Sequence, residues 1–493
     1  MKKSGRRERL KHFFSCRQHP VIMISYTAKY LWLLVIPLAK YLIAVKFDLR
    51  SWIETNWVEI LTVSAIFGYA FLRWLFVYFE LEEDSVVAHT GYFGITQTRV
   101  YFSEISSVTL SQNYLFRAIH ACSLYIDTDA KSIQKADIAL ELNKKQAFEI
   151  YEKIAENSGI QPKYIYHSRR WEMMIFSLLF SSTLSGMIIL VSIIYEANKI
   201  VGRAMEQRFI ERVNTEIEKA YIYVPKYFLI AGLVIAGGWL ISFTANLMRH
   251  WNFSCTRCAD MFLIKSGKGT RRRHVLMRDK ITYIDYQQSM LMKIFKICSV
   301  SVKCTGYGKI KQEISALIPI TTNNQVDSSI KLLIPGIPEI KDAVKTGVSD
   351  IRRFVMVPAL CCFIPPAAWY VLRKFLPMWS QEIRKLAILF FIPLVWLTIV
   401  KFGAAFCTGI GVDESSEYLR LSYCKLYKFH RVIVGKDKIS MIKVRQYAWQ
   451  KVIGTCSVIF YTNSESVSRH VVKNIKYSEF LELIKDNRLN FRE

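Results

Sequence analysis

Twenty residues recur three times in this chain without a gap, and that repetition constrains the fold more than any other feature. The copies are ISSVTLSQNYLFRAIHACSL from Ile105, ITYIDYQQSMLMKIFKICSV from Ile281 and ISMIKVRQYAWQKVIGTCSV from Ile439. All three place Ile first, Val or Ile fourth, Gln eighth, a cation thirteenth and Cys-Ser at the eighteenth and nineteenth positions. Gln112, Gln288 and Gln446 lie 176 and 158 residues apart, far beyond the 20–50 residues of a solenoid unit. Each copy therefore belongs to a unit of domain size, and whatever fold the cassette serves must be built three times.

The cassette reads as β structure. CSLYI, CSVSV and CSVIF are short runs of β-branched and aromatic residues, and ISSV, ITYI and ISMI precede them as a second strand. Further strand-like runs lie upstream, SVVAHTGYFGITQTRV after Asp84 and MFLIKSGKGTRRRHV after Asp260. Downstream, KKQAFEIYEKIAEN from Lys144 and KYSEFLELIKDN from Lys476 have helical amphipathic spacing, and the second copy has a shorter equivalent stopped by Pro335.

Apolar runs long enough to cross a bilayer, about 20 residues, come in pairs ahead of each cassette: 21–45 and 60–79, 175–195 and 227–248, 354–372 and 386–400. The first is interrupted by Lys29 and Lys40, which can snorkel to the interfaces. Six spans follow, with every soluble segment on one side. The first twenty residues carry seven Lys or Arg against Glu8, and Arg169-Arg170 and Arg352-Arg353 precede later spans. The positive-inside rule places both termini and all cassettes in the cytoplasm, against the dissent of Arg373, Lys374, Arg384 and Lys385. The 196–222 segment, apolar every fourth residue, predicts an amphipathic helix on the outer side.

A formal net charge of +27 with 52% hydrophobic residues fits such a membrane protein. Nucleic-acid binding is not expected, because no reading motif accompanies the charge. The cysteines read as reduced, packed thiols; the Cys255-x-x-Cys258 pair has no second pair at zinc spacing. No Walker A sequence, His-Glu-x-x-His, Gly-x-Ser-x-Gly or dinucleotide glycine pattern occurs. Neither catalysis nor a cofactor or metal is expected.

The string FLIKSGKGTRRR, followed by ITYIDYQQSMLMKIFKICSVSVKCTG, resembles the bacterial PH-like membrane proteins of the YdbS and YdbT type, the latter having three such domains after helix pairs. The third copy departs from the pattern: its turn at 423–430 lacks the Gly, and Trp449 replaces Leu. The resemblance implies an α-helical multi-pass protein of the bacterial inner membrane, with six spans and three cytoplasmic PH-like β-barrels each closed by a helix. The boundaries expected are a basic N-terminus at 1–20, hairpins at 21–80, 171–248 and 354–403, and PH-like domains at 81–168, 249–342 and 404–493.

Candidate contact residues follow from charge. Arg271, Arg272 and Arg273 form the densest basic cluster, suited to phosphate. Arg117, Lys293 and Lys451 repeat at one cassette position, where an anionic leaflet contributes about 1 kcal/mol per basic residue. Gln112, Gln288 and Gln446 are expected to satisfy backbone groups of a bending strand, and Cys122, Cys298 and Cys456 to mark a packed strand start. These readings predict a non-enzymatic adaptor or scaffold that binds proteins or acidic lipids, in envelope stress or membrane homeostasis. Its partners would be anionic membrane lipids and a protein such as a shorter PH-like membrane protein; a transporter or lipid-handling protein is the alternative.

Overall fold

A computed structural model of the protein describes residues 17–27, 48–90, 95–129, 136–156, 162–181, 187–190, 226–304, 316–347, 350–415, 417–462 and 468–486. The chain forms two units, one of Met1–Tyr164, Thr256–Leu263 and His274–Glu493, the other of Ile165–Cys255 and Ile264–Arg273.

The strands come in sixes, one set per repeat. The first set is β1 (Tyr78–Leu81), β2 (Ser85–Thr90), β3 (Thr96–Tyr101), β4 (Ile105–Gln112), β5 (Ala121–Thr128) and β6 (Ile138–Asn143). A short β7 (Tyr164–His167) precedes the second: β8 (Ser254–Arg257), β9 (Met261–Ser266), β10 (Arg271–Met277), β11 (Ile281–Ser289), β12 (Ile297–Cys304) and β13 (Ala316–Thr322). After β14 (Val344–Lys345) come β15 (Gly409–Val412), β16 (Tyr418–Lys425), β17 (Lys428–Gly435), β18 (Ile439–Arg445), β19 (Thr455–Thr462) and β20 (Ser468–Lys476). A helix follows the sixth strand each time, Lys144–Glu156, Asn323–Leu333 and Tyr477–Asp486. The return hairpins β4–β5, β11–β12 and β18–β19 are antiparallel, as is β2–β3, as short connections require.

The repeats do not fold as three separate barrels. The sheet orders are β1-β2-β3, then β6-β5-β4-β10-β9-β8-β7, then β13-β12-β11-β17-β16-β15-β14, then β18-β19-β20. Each seven-stranded sheet joins the last three strands of one repeat to the first three of the next. In the third sheet β11 pairs with β12 on one edge and with β17 on the other, from Tyr283 opposite Val434 to Ser289 opposite Lys428. Sharing sheets in this way covers strand edges that isolated barrels would have to guard.

Alternation along the strands builds the cores. In the first repeat Val86, Ile105, Val108, Leu124, Ile126 and Leu140 pack with Ile150 and Ile154 of the closing helix. In the third Leu419, Leu421, Val432, Val458, Phe460 and Val472 pack with Phe480 and Leu483. Each such side chain contributes roughly 1.5–3 kcal/mol of burial free energy.

The expectation of six spans is corrected. Among the described residues three helices are long and apolar enough to cross a membrane: Trp57–Phe76, Ile351–Phe375 and Pro377–Cys407. Only 11%, 6% and 6% of their most apolar stretches are buried against protein, an exposed apolar surface of the size that marks a membrane or protein interaction site. The run at 175–195 is not one helix, because Arg170–Phe180 ends there with Ser181 extended, too short to span. A helix occupies Lys226–His250 but is not among the three. The run at 21–45 is described only to residue 27, and the 196–222 segment lies outside the described residues.

Candidate membrane-contact site

Each cassette folds into a hairpin whose turn is a short helix: Tyr114–Ala118, Met290–Ile294 and Ala448–Ile453. Asn113 and Ser289 cap the first two, their side chains accepting from Phe116 N (2.7 Å) and Met292 N (3.2 Å). In the third, the Gln450 side chain accepts from Tyr447 N at 3.1 Å. A residue in the left-handed region follows each helix, His120 (φ 56) and Lys296 (φ 53) just past the C-caps Ile119 and Phe295, and Gly454 (φ 71) at the C-cap itself. Only the third uses the residue that adopts it without steric cost.

Gln112, Gln288 and Gln446 lock this turn. Their Nε2 atoms donate to Ala121 O (2.8 Å), Ile297 O (2.9 Å) and Thr455 O (3.0 Å), the first residue of the returning strand in each case. The closing helix completes the lock through its first backbone N–H. Lys144 N donates to His120 O, Asn323 N to Lys296 O and Tyr477 N to Gly454 O, at 2.8 to 2.9 Å. Cys122, Cys298 and Cys456 stand second in the returning strand and are buried. Burial pushes the Cys298 and Cys456 thiols up to about 12, so they pack as small apolar groups and not as nucleophiles.

The short helices turn apolar side chains outward. Leu115, Leu291 and Trp449 occupy one cassette position and are 75%, 43% and 48% exposed. Ile119, Phe295 and Ile453 occupy another and are exposed as well, as are Ile294 and Val452. Two of these helices lie beside the ends of apolar spans. Met290 packs with Val400, Ala404 and Trp396 of the last span, while Arg353 at the start of Ile351–Phe375 donates to Thr455 Oγ1 at 3.2 Å. In the first repeat Trp74 Nε1, near the end of its span, donates to Gln18 O at 2.7 Å, and His19 N donates to Glu141 O at 2.6 Å.

The repeated cation meets a different surrounding in each copy. Arg117 stacks on Tyr114 at 4.3 Å. Lys293 lies 3.8 Å from the Phe429 ring centre and 2.6 Å from Cys407 Sγ, while Lys451 stands in the last turn of its helix, exposed. Gln288, Lys293 and Cys298 come together with Arg420 and Arg431 of the third repeat around a polar cavity of about 350 Å3, at the end of the last span. Arg420 is already engaged there by Asp342, Nε to Oδ1 3.2 Å. Arg271, Arg272 and Arg273 form the start of β10, away from the cassette turn in sequence, with Arg271 exposed.

A second cavity, of about 750 Å3, is lined by the turns that precede each cassette: Phe102 and Ser103, Arg278 and Asp279, Gly435 and Asp437. The three repeats thus present equivalent turns to one space. The exposed apolar positions, Met290 and these turns were not singled out from sequence as a surface, and Arg353 was read only as part of a basic pair before a span. The eleventh and fifteenth cassette positions are apolar in all three copies, which is the signal that identifies the first of them.

The bacterial PH domain family model matches residues 22–158 and 200–331, together more than half of the chain. No curated protein and no solved structure matches. The third repeat lies outside the matched segments, yet its strands and closing helix follow the same order.

Proposed function

From the premise that this chain belongs to the bacterial PH domain family, a family of lipid- or protein-binding modules, we propose that it is a non-enzymatic, membrane-anchored adaptor of the YdbT type whose cassette helices rest on an acidic bilayer surface. The observation that carries this reading is the threefold recurrence of an exposed apolar pair with a cation on one short helix, two of the three helices lying beside the end of an apolar span. Apolar side chains of this kind insert at the headgroup boundary. The cations add about 1 kcal/mol each near an anionic surface. The basic flanks of the spans support a reading in which this surface faces the cytoplasmic leaflet of a bacterial inner membrane. Three such contacts on one chain raise effective concentration, so weak single contacts sum to firm attachment and leave other surfaces free for a protein partner.

The full chain tests this in native membranes. A photo-crosslinking side chain is introduced singly at Leu115, Phe295 or Val452, with Glu339 as an exposed control. Lipid adducts at the three cassette positions and none at Glu339 are expected. Adducts to protein at those positions would reject the lipid contact in favour of a partner interface. Reconstitution in discs with and without anionic lipid then reads whether the cations matter: the Lys451→Glu variant should lower adduct yield at 452 only where anionic lipid is present.

A further inference from the structure

The cassette strand is treated unequally by the fold. In the first two repeats β4 and β11 each pair on both edges, with the cassette's own return strand on one side and the third strand of the next repeat on the other. The Thr109 hydroxyl meets His274 Nδ1 of β10 at 2.9 Å, and Asp285 opposes Val432 of β17. By cassette position Thr109 equals Asp285, and counting back from the turns His274 equals Val432, so the Thr109–His274 contact falls where the register of β11 with β17 places it. In the third repeat β18 pairs with β19 alone, and among the described residues no strand lies on its other edge. Met441 is 50% exposed where its equivalents Tyr283 and Ser107 are 7% and 1%.

At the other end of the chain β3 is the equivalent of β10 and β17. Among the described residues it pairs only with β2, and beside it Ile95 and Tyr101 are 80% and 51% exposed. Among the described residues, one chain therefore holds in its third repeat a cassette strand without the partner its two equivalents have, and in its first repeat a third strand of the type that partners them. Within one chain these two strands stand in separate sheets. Lys443 and Arg445 on β18 are charges of the kind that guard a free edge. However, β11 carries Asp285 at the position of Lys443 and pairs there all the same, with Asp285 bound to His430 at 2.9 Å.

We propose that β18 pairs antiparallel with β3 of a second copy of this chain. The register of β11 with β17 transfers directly: Met441 opposite Val100, Ile442 opposite Arg99, Lys443 opposite Thr98 and Val444 opposite Gln97. No like charges face each other in it. Two copies that exchange strands reciprocally close a two-fold dimer with neither edge left over, and a two-fold axis along the membrane normal keeps both copies in one orientation.

Directly opposed antiparallel residues have Cα atoms about 4.5–5.5 Å apart, within disulfide reach. Two differently tagged full-length chains, one Thr98→Cys and one Lys443→Cys, are co-expressed and oxidised in native membranes. The unsubstituted chain reports background from native thiols. A doubly substituted chain expressed alone separates bonds within a chain from bonds between chains by mass. The expected result is a bond between the two tags, about ten-fold above that given by Tyr101→Cys with Lys443→Cys, which is three residues out of register and roughly 10 Å apart. A bond within the doubly substituted chain, equal yield from the off-register pair, or no bond above background would each overturn the proposal.

Discussion

The cassette glutamines offer the sharpest test of how the repeat is held together. Gln288 is the most informative, because its Nε2 atom donates both to Ile297 O at 2.9 Å and to Asn323 Oδ1 at 2.8 Å, joining the returning strand to the closing helix. Gln288→Ala removes both bonds and leaves the carbonyl of a buried residue without its side-chain donor. A lost bond to a buried polar group costs about 1–3 kcal/mol. In local opening equilibria that corresponds to roughly a 5- to 150-fold loss of amide protection. Hydrogen exchange followed by mass spectrometry on the full chain reads this directly in peptides covering β12 and the start of Asn323–Leu333. Gln112→Ala and Gln446→Ala should act the same way on β5 and β19, each confined to its own repeat. Unchanged protection at β12 would refute the assignment of Gln288 to the turn. Unchanged protection accompanied by lost lipid adducts at 295 would show instead that this side chain serves the bilayer surface.

Other consequences can be measured in the same preparations. His470 is buried in the third core, with Tyr423 Oη at 2.9 Å, Thr462 Oγ1 at 3.2 Å and the Tyr283 ring edge-on. Burial is the main cause that holds its pKa down at about 4, opposed by Asp285 and assisted by His430 and Lys425. A folded pKa below the unfolded 6.5 means the contribution is complete above pH 6.5 and is lost as pH falls towards 4, to a total of about 3 kcal/mol; His470→Gln should flatten the acid limb of a stability–pH curve, and an unchanged limb refutes it. Phe460→Ala, in a fully buried position, should cost about 3–5 kcal/mol and appear as a lower unfolding temperature or loss of folded protein. Lys296→Gly should stabilise by up to about 1 kcal/mol, because a β-carbon is removed from a left-handed residue; a decrease in unfolding temperature would contradict that.

Much of the architecture was legible because it is periodic. The ungapped cassette marked three domain-sized repeats, and the β-branched runs around Cys122, Cys298 and Cys456 marked strands that the structure contains. The closing helices at 144–156 and 477–486 follow from spacing of apolar residues every third and fourth place. The spans were less legible, since apolar composition reports only that a segment avoids water. It does not report whether the segment is one helix, and the run from 175 breaks at Ser181. The candidate contact surface was half visible: the cations recur in sequence, but whether an apolar neighbour is core or exposed depends on what packs above it.

By itself, the sequence determined that a two-strand hairpin with a Gln-locked turn is made three times, because hydrogen-bonding groups and apolar alternation at fixed spacing act locally. The tertiary structure alone decided which strand lies beside which. Backbone N–H and C=O groups are the same in every residue, so an edge carries almost no mark of its partner in composition. The choice that joins β4 to β10 and β11 to β17, and leaves β18 and β3 as free edges among the described residues, is made when three-dimensional packing brings the repeats together.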